Sequence, residues 1–244
     1  MHYRLLLEYD GTEYHGWQLQ PDTRTLQGVI EQALATVLRH PVRLAAAGRT
    51  DAGVHALGQV ATFRSERLVE PRELRKSLNA VTPRDIAVRE VAPVPDAFDP
   101  RRDATARVYE YRIWNQPWPS AFWRRFTWHL PRALDVRAMR AAAALLAGEH
   151  DFSAFRAADC DSESRVRRVA HSGLTEAENM IVYRVEANAF LKHMVRAIVG
   201  TLVEVGTGAV APDEVAAILA SRDRARAGAT APPQGLVLVA VAYA

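Results

Sequence analysis

Two α+β halves, each running strand, helix, strand, strand, helix, strand around an antiparallel sheet, are what this sequence predicts. Three observations carry that reading. Hydrophobic periodicity switches between a two-residue and a 3.6-residue repeat, a proline-punctuated stretch PVPDAFDP (93–100) interrupts it, and the same order of elements then restarts. The halves are 1–98 and 99–244, a repeat of plan without detectable repeat of sequence.

In the first half, YRLLLEYD (3–10) reads as a strand, and TLQGVIEQALATVL spaces Leu26, Val29, Ile30, Ala33, Leu34, Val37 and Leu38 as one helical stripe. A short apolar stretch VRLAAA follows, then a strand QVATFRS (59–65), a helix opening at Pro71 (PRELRKSLNAV) and a strand DIAVREV. In the second half the strand RVYEYRIW leads into a helix DVRAMRAAAALLAG that closes on Gly148. Strands RVRRVAHSG and MIVYRVEAN come next, then a helix over 189–205, a short helix opening at Pro212 and a last strand GLVLVAVAY. This is the ferredoxin-like, RRM-like plan, which RNA-binding sheets often use.

With 244 residues and 49% hydrophobic content the chain supports a sizeable core. Three leucines before Glu8 are too few for a signal-peptide core, and no later run is long enough to span a membrane, so a cytoplasmic location is expected. Cys160 is the only cysteine, which excludes an intramolecular disulfide, and His55 four residues after Asp51 lacks a third ligand, so no metal is expected. The net charge is only +3, but all except two of the 31 basic residues are arginine, the better bidentate partner of phosphate. Genome composition explains much of that total, since the chain is rich in alanine as well. Distribution says more: residues 101–140 hold nine arginines against Asp103, Glu110 and Asp135, together with eight aromatics. A basic segment interleaved with rings suits RNA, although several of those rings must be ordinary core.

The stretch AGRTDAGVHALGQV (47–60) sets a charged trio among small residues. Asp51 before Ala52-Gly53 fits a turn, while in extended backbone Arg49 and Asp51 would share a face, with His55 a few residues on, so that a carboxylate is presented for chemistry. Further along, NAFLKHMVRAIVG places Lys192, His193 and Arg196 on the polar side of the helix opposite Met194, Val195, Ile198 and Leu202. These three fit a solvated face, yet Arg196 is the only guanidinium in apolar surroundings, where such a group needs a partner.

Taken together, YDGTEYHGWQLQ, GRTDAGVHALGQV, KSLNAVTPRDIAV, ATARVYEYRI, GEHDFSAFR, NAFLKHMVRAIVG and APPQGLVLV resemble the bacterial tRNA pseudouridine synthase A family nearly end to end. Leu19 departs from a position where a basic residue is common, and Val81-Thr82 stands before Pro83 where a leucine is expected. The resemblance implies one pseudouridine synthase fold made by joining the two halves, and isomerisation of uridine on the 3′ side of the tRNA anticodon stem-loop (tRNA positions 38, 39 and 40). It implies a homodimer with RNA-binding clefts formed by both subunits and no cofactor. It makes Asp51 the catalytic residue, adding to C1′ or removing the C2′ proton, and puts Arg196 beside it to keep it ionised. Tyr109 would stack on the displaced uracil, with Tyr111, on the same strand face, as its competitor and better suited to the core. Arg49 would clamp phosphate or wedge the base out, and His55 would be a structural hydrogen-bonder. Two rival functions remain: a non-enzymatic RNA-binding module of the same fold, which leaves Asp51 in a basic surface unexplained, and a metal-dependent hydrolase built on Asp51 and His55.

Overall fold

The computed structural model describes residues 1–244, Ala177 by its backbone only. In chain order the elements are β1 (His2–Tyr9), α1 (Leu26–Leu38), β2 (Ala45–Ala46), β3 (His55–Arg64), α2 (Pro71–Val81), β4 (Ile86–Pro93), β5 (Ala104–Trp114), β6 (Trp128–His129), α3 (Val136–Ala144), β7 (Gly148–Asp151), β8 (Val166–Ala177), β9 (Met180–Ala187), α4 (Met194–Gly206), α5 (Glu214–Ser221) and β10 (Leu236–Tyr243). The fold is α+β with largely antiparallel strands. Two compact units form: Met1–Thr105 together with Val237–Ala244, and Ala106–Leu236.

In the first unit β1 lies between β3 and β4, antiparallel to both, and β2 pairs with β3 through Ala45 and Ala46. That is the expected strand–helix–strand–strand–helix–strand order. Helix α1 starts where the Thr25 hydroxyl accepts the Gly28 N–H, and it buries Leu26, Ile30, Ala33, Leu34 and Leu38 as one stripe. Helix α2 has Pro71 in its first turn and the Glu70 carboxylate on the Glu73 N–H, and buries only Leu74 and Leu78. The unexpected member is β10, which runs parallel to the start of β3 with Val237 opposite His55 and Leu238 opposite Ala56. The division at 98/99 assigns this strand to the second half. Its backbone pairing with β3 groups it with the first unit instead.

The second unit follows the same plan without a closing strand of its own: β5 lies beside β9, β9 beside β8, and β7 on the far edge of β8, all antiparallel. The two-residue β6 adds a parallel pair to β5, and neither β6 nor β7 carries enough periodicity to be read from sequence. Helix α3 ends at Ala144 rather than at Gly148, whose φ of +114° opens β7. Helix α4 begins at Met194, five residues later than the apolar pattern suggests, so Lys192 and His193 precede it; all its residues except Arg196 and Glu204 are buried. It is the central helix of the unit. A polar relay links α3 to the sheet: the Ser172 hydroxyl donates to Ala143 O at 2.7 Å and stands 2.9 Å from the Tyr183 hydroxyl, both side chains buried.

Removing the Ser172 hydroxyl leaves the Tyr183 phenol buried without a partner, while the Ala143 carbonyl keeps the Leu146 N–H at 3.2 Å. Ser172→Ala is therefore expected to lower stability by about 1–3 kcal/mol in urea unfolding, while Thr36→Ala, at an exposed hydroxyl bonded only to the preceding helical turn, should stay within about 0.5 kcal/mol.

Candidate active site

Residues 47–54 leave the sheet at Ala47, whose N–H donates to Val60 O at 2.8 Å, and return to it at His55. Between these points the backbone is held by another loop of the same unit. Trp17 N–H donates to Thr50 O at 2.9 Å, and Gly53 N–H donates to Tyr14 O at 3.3 Å. Asp51 does open a turn: its carbonyl accepts the Val54 N–H at 3.1 Å, and Gly53 supplies the φ of +76° that the third position needs. The turn and the presentation of a carboxylate are thus compatible, for Asp51 is partly exposed and Arg49 exposed, while Thr50 between them is buried.

Close contact with residues 9–17 explains the YDGTEYHGW stretch. A Cβ on Gly11 would stand 2.0 Å from Val54 O, so only glycine lets the two loops touch there. His55 belongs to this corner rather than to the exposed pair. It is 2% exposed, and its Nδ1 lies 3.0 Å from the Gly11 N–H and 3.2 Å from the Asp10 carboxylate. Because a backbone N–H can only donate, Nδ1 is the acceptor in that bond and the ring serves the corner's geometry. Further support comes from Tyr14, whose hydroxyl donates to Asp85 at 2.6 Å and accepts from Arg24 at 3.0 Å, the guanidinium lying 4.5 Å above the Tyr14 ring centroid. Burial, reinforced by the Asp85 hydrogen bond, pushes the Tyr14 phenol up, so it stays a neutral donor at physiological pH.

In the second unit, Tyr109 and Tyr111 share a face of β5 but not an environment. Tyr109 is half-buried, its ring standing edge-on to Phe190 at 5.0 Å between centroids. Tyr111 has no exposure, donates its hydroxyl to Pro232 O at 2.7 Å and sets its ring edge-on against Trp128. Burial raises its phenol far above the ordinary range, the nearby Arg196 charge opposing this only in part. Arg196 itself is partly exposed: its Nε donates to Ala231 O at 2.7 Å, and its own carbonyl accepts the Ala231 N–H at 3.1 Å. Lys192, expected on the same helical face, instead pairs with Asp159 ahead of α4.

The basic aromatic segment divides as chemistry demands. Trp114 and Tyr111 belong to the core and Arg107 is buried with its guanidinium on Asn188 O, whereas Trp118, Trp123 and Arg124 are exposed and Phe122 is 90% exposed. Among the described residues no group of three or more His, Cys, Asp or Glu side chains could hold a metal ion, and no helix is long and apolar enough to cross a membrane.

The sequence profile described as tRNA pseudouridine synthase matches residues 6–101 and 142–244. The chain belongs to the tRNA pseudouridine synthase family. Its relatives include proteins named tRNA pseudouridine synthase A from Geotalea uraniireducens, 49% identical over 240 residues covering 98% of each chain, and from Myxococcus xanthus, 48% identical over 98% of this chain and 91% of that one. Another from Thermoanaerobacter sp. is 44% identical over 98% of each. Among solved structures, a Cbf5–Nop10–Gar1 complex aligns at 12% identity with a TM-score of 0.35, covering 82% of this chain and 54% of that one. Within this pseudouridine synthase family frame, Arg49, Asp51 and Arg196 fall inside the matched stretches, and Tyr109 falls between them.

The environment of Tyr111 makes a structural prediction. Tyr111→Phe orphans the Pro232 carbonyl and should lower the melting temperature by a few degrees, about 1–2 kcal/mol, with no loss of turnover by the folded protein.

Proposed function

We propose that this protein isomerises uridine to pseudouridine in tRNA, the N1–C1′ bond breaking and a C5–C1′ bond forming within one nucleotide. The observation that carries the reading is the partly exposed Asp51 on a backbone bonded to its neighbours on both sides, next to the exposed Arg49. An isomerisation of this kind transfers nothing to water and changes no oxidation state, so a single carboxylate that attacks C1′ or takes the C2′ proton is sufficient for its central step. The names of the relatives support tRNA as the substrate. The anticodon stem-loop as target, a cytoplasmic homodimer as the working form, and the roles of Tyr109 in stacking on the uracil, of Arg49 in base extrusion and of Arg196 as counter-charge to the carboxylate extend the same proposal on the family resemblance alone.

Mapping pseudouridine in tRNA incubated with the protein tests the activity directly. Asp51→Asn should abolish product by about a thousandfold or more while tRNA affinity stays within about threefold, because an isosteric amide keeps the shape but is neither nucleophile nor base. Wild-type binding without product would leave the RNA-binding module as the function.

Affinity should also fall steeply between about 50 and 200 mM salt as phosphate contacts release counterions. Reversing the charges of Arg124 and Arg125 should reduce the log–log salt slope by about one to two, measured by filter binding; an unchanged slope would class them as solvated surface.

A further inference from the structure

Gln59 is a polar side chain with no exposure, set in the apolar strand β3. Its amide orientation follows from its partners. Gly48 O, 2.8 Å from one end, can only accept, and the Val60 N–H, 3.2 Å from the other, can only donate, so the NH2 group faces the loop and the carbonyl faces the strand. The second amide proton points to the Tyr9 hydroxyl at 3.4 Å, and that hydroxyl stands 2.9 Å from the Thr50 hydroxyl. Tyr9 and Thr50 are buried as well, and burial drives the Tyr9 phenol up, so the relay remains neutral.

The relay holds the loop at two places only, the carbonyl of residue 48 and the side chain of residue 50. These flank Arg49 and immediately precede Asp51. With both inner anchors tied to β1 and β3, Arg49 is exposed and the backbone entering Asp51 is restrained at residues 48 and 50. A displacement of about 1 Å at a reacting group can cost about a hundredfold in rate. We infer that Gln59, acting through Tyr9 and Thr50, is a positioning residue for Asp51. This rests on the reading of Asp51 as the reacting carboxylate.

The test compares Gln59→Glu, which keeps the shape but replaces the two amide donors by a carboxyl carrying at most one, with Thr50→Val, an uncharged isostere lacking the hydroxyl, and Thr50→Ser, which restores it. For Gln59→Glu and Thr50→Val, kcat on tRNA should fall about ten- to a hundredfold with KM within about threefold, and Thr50→Ser should retain kcat within about threefold. Hydrogen–deuterium exchange, read without tRNA, should quicken about tenfold or more in peptides covering 47–54 while those from β8 and β9 stay unchanged. If Gln59→Glu fails to fold, Thr50→Val carries the same comparison. Unchanged kcat alongside lowered melting temperature would overturn the inference, as would a loss that Thr50→Ser does not reverse. Should the wild type make no pseudouridine in any tRNA, the functional reading fails, and the exchange in 47–54 still reports whether the relay restrains the loop.

Discussion

Main-chain hydrogen bonding between two loops, 9–17 and 47–54, is the constraint from which the rest of the first unit follows. Beyond Tyr9, the last residue of β1, neither segment is a helix or a strand, so those N–H and C=O groups have no ladder to satisfy them. They satisfy one another: Trp17 with Thr50, Gly53 with Tyr14, and Asp51 with Val54 across the turn. Such pairing needs contact at backbone distance, which is why Gly11 faces Val54 directly. A loop carrying functional groups is usually among the mobile parts of a protein. Here it is bonded like secondary structure, and only its outward side chains are left for other work.

The second unit achieves rigidity by a different route. Helix α4 is enclosed almost all round, with every residue except Arg196 and Glu204 buried. Arg196 interrupts this surface, and its cost is reduced because both its side chain and its main chain bond Ala231. The Nε end of the guanidinium is thereby anchored to the backbone. Trp118, Phe122 and Trp123 form the unit's contrasting surface, exposed aromatic area beside exposed arginine.

Most of the fold was legible because most elements have the periodicity of their class: the stripe of α1, the proline start of α2, the alternating strand β9. Where periodicity and structure part company, a specific cause can be named. Strand β3 starts at His55, four residues ahead of its apolar run, because both its faces are covered there and alternation disappears. The start of α4 was misplaced since Ala189, Phe190 and Leu191 continue the apolar pattern while His193, at φ +61°, breaks the backbone one residue before the helix. Asp51, Arg49 and Arg196 stood out as charges in small or apolar settings, a signal of composition alone. Gln59 did not, for a lone amide in a strand resembles any solvent-facing polar residue until its burial is known. The difference between Tyr109 and Tyr111 was carried by the family motif alone, because alternation gives both the same face and says nothing of what covers each.

The pairing of β10 with β3 has a temporal consequence. A ribosome delivers β1, α1, β2, β3, α2 and β4 first, then the whole second unit, and only afterwards the residues that lie against His55 and Ala56. Throughout that interval the stretch of β3 that follows the Asp51 turn presents unsatisfied backbone groups, the kind of edge that recruits foreign strands. Closing it late also means closing a long loop, which slows folding more than it weakens the folded state. The nascent first unit consequently keeps that edge open until its final strand emerges, and a chain cut short before residue 237 would hold its site loop without its last brace.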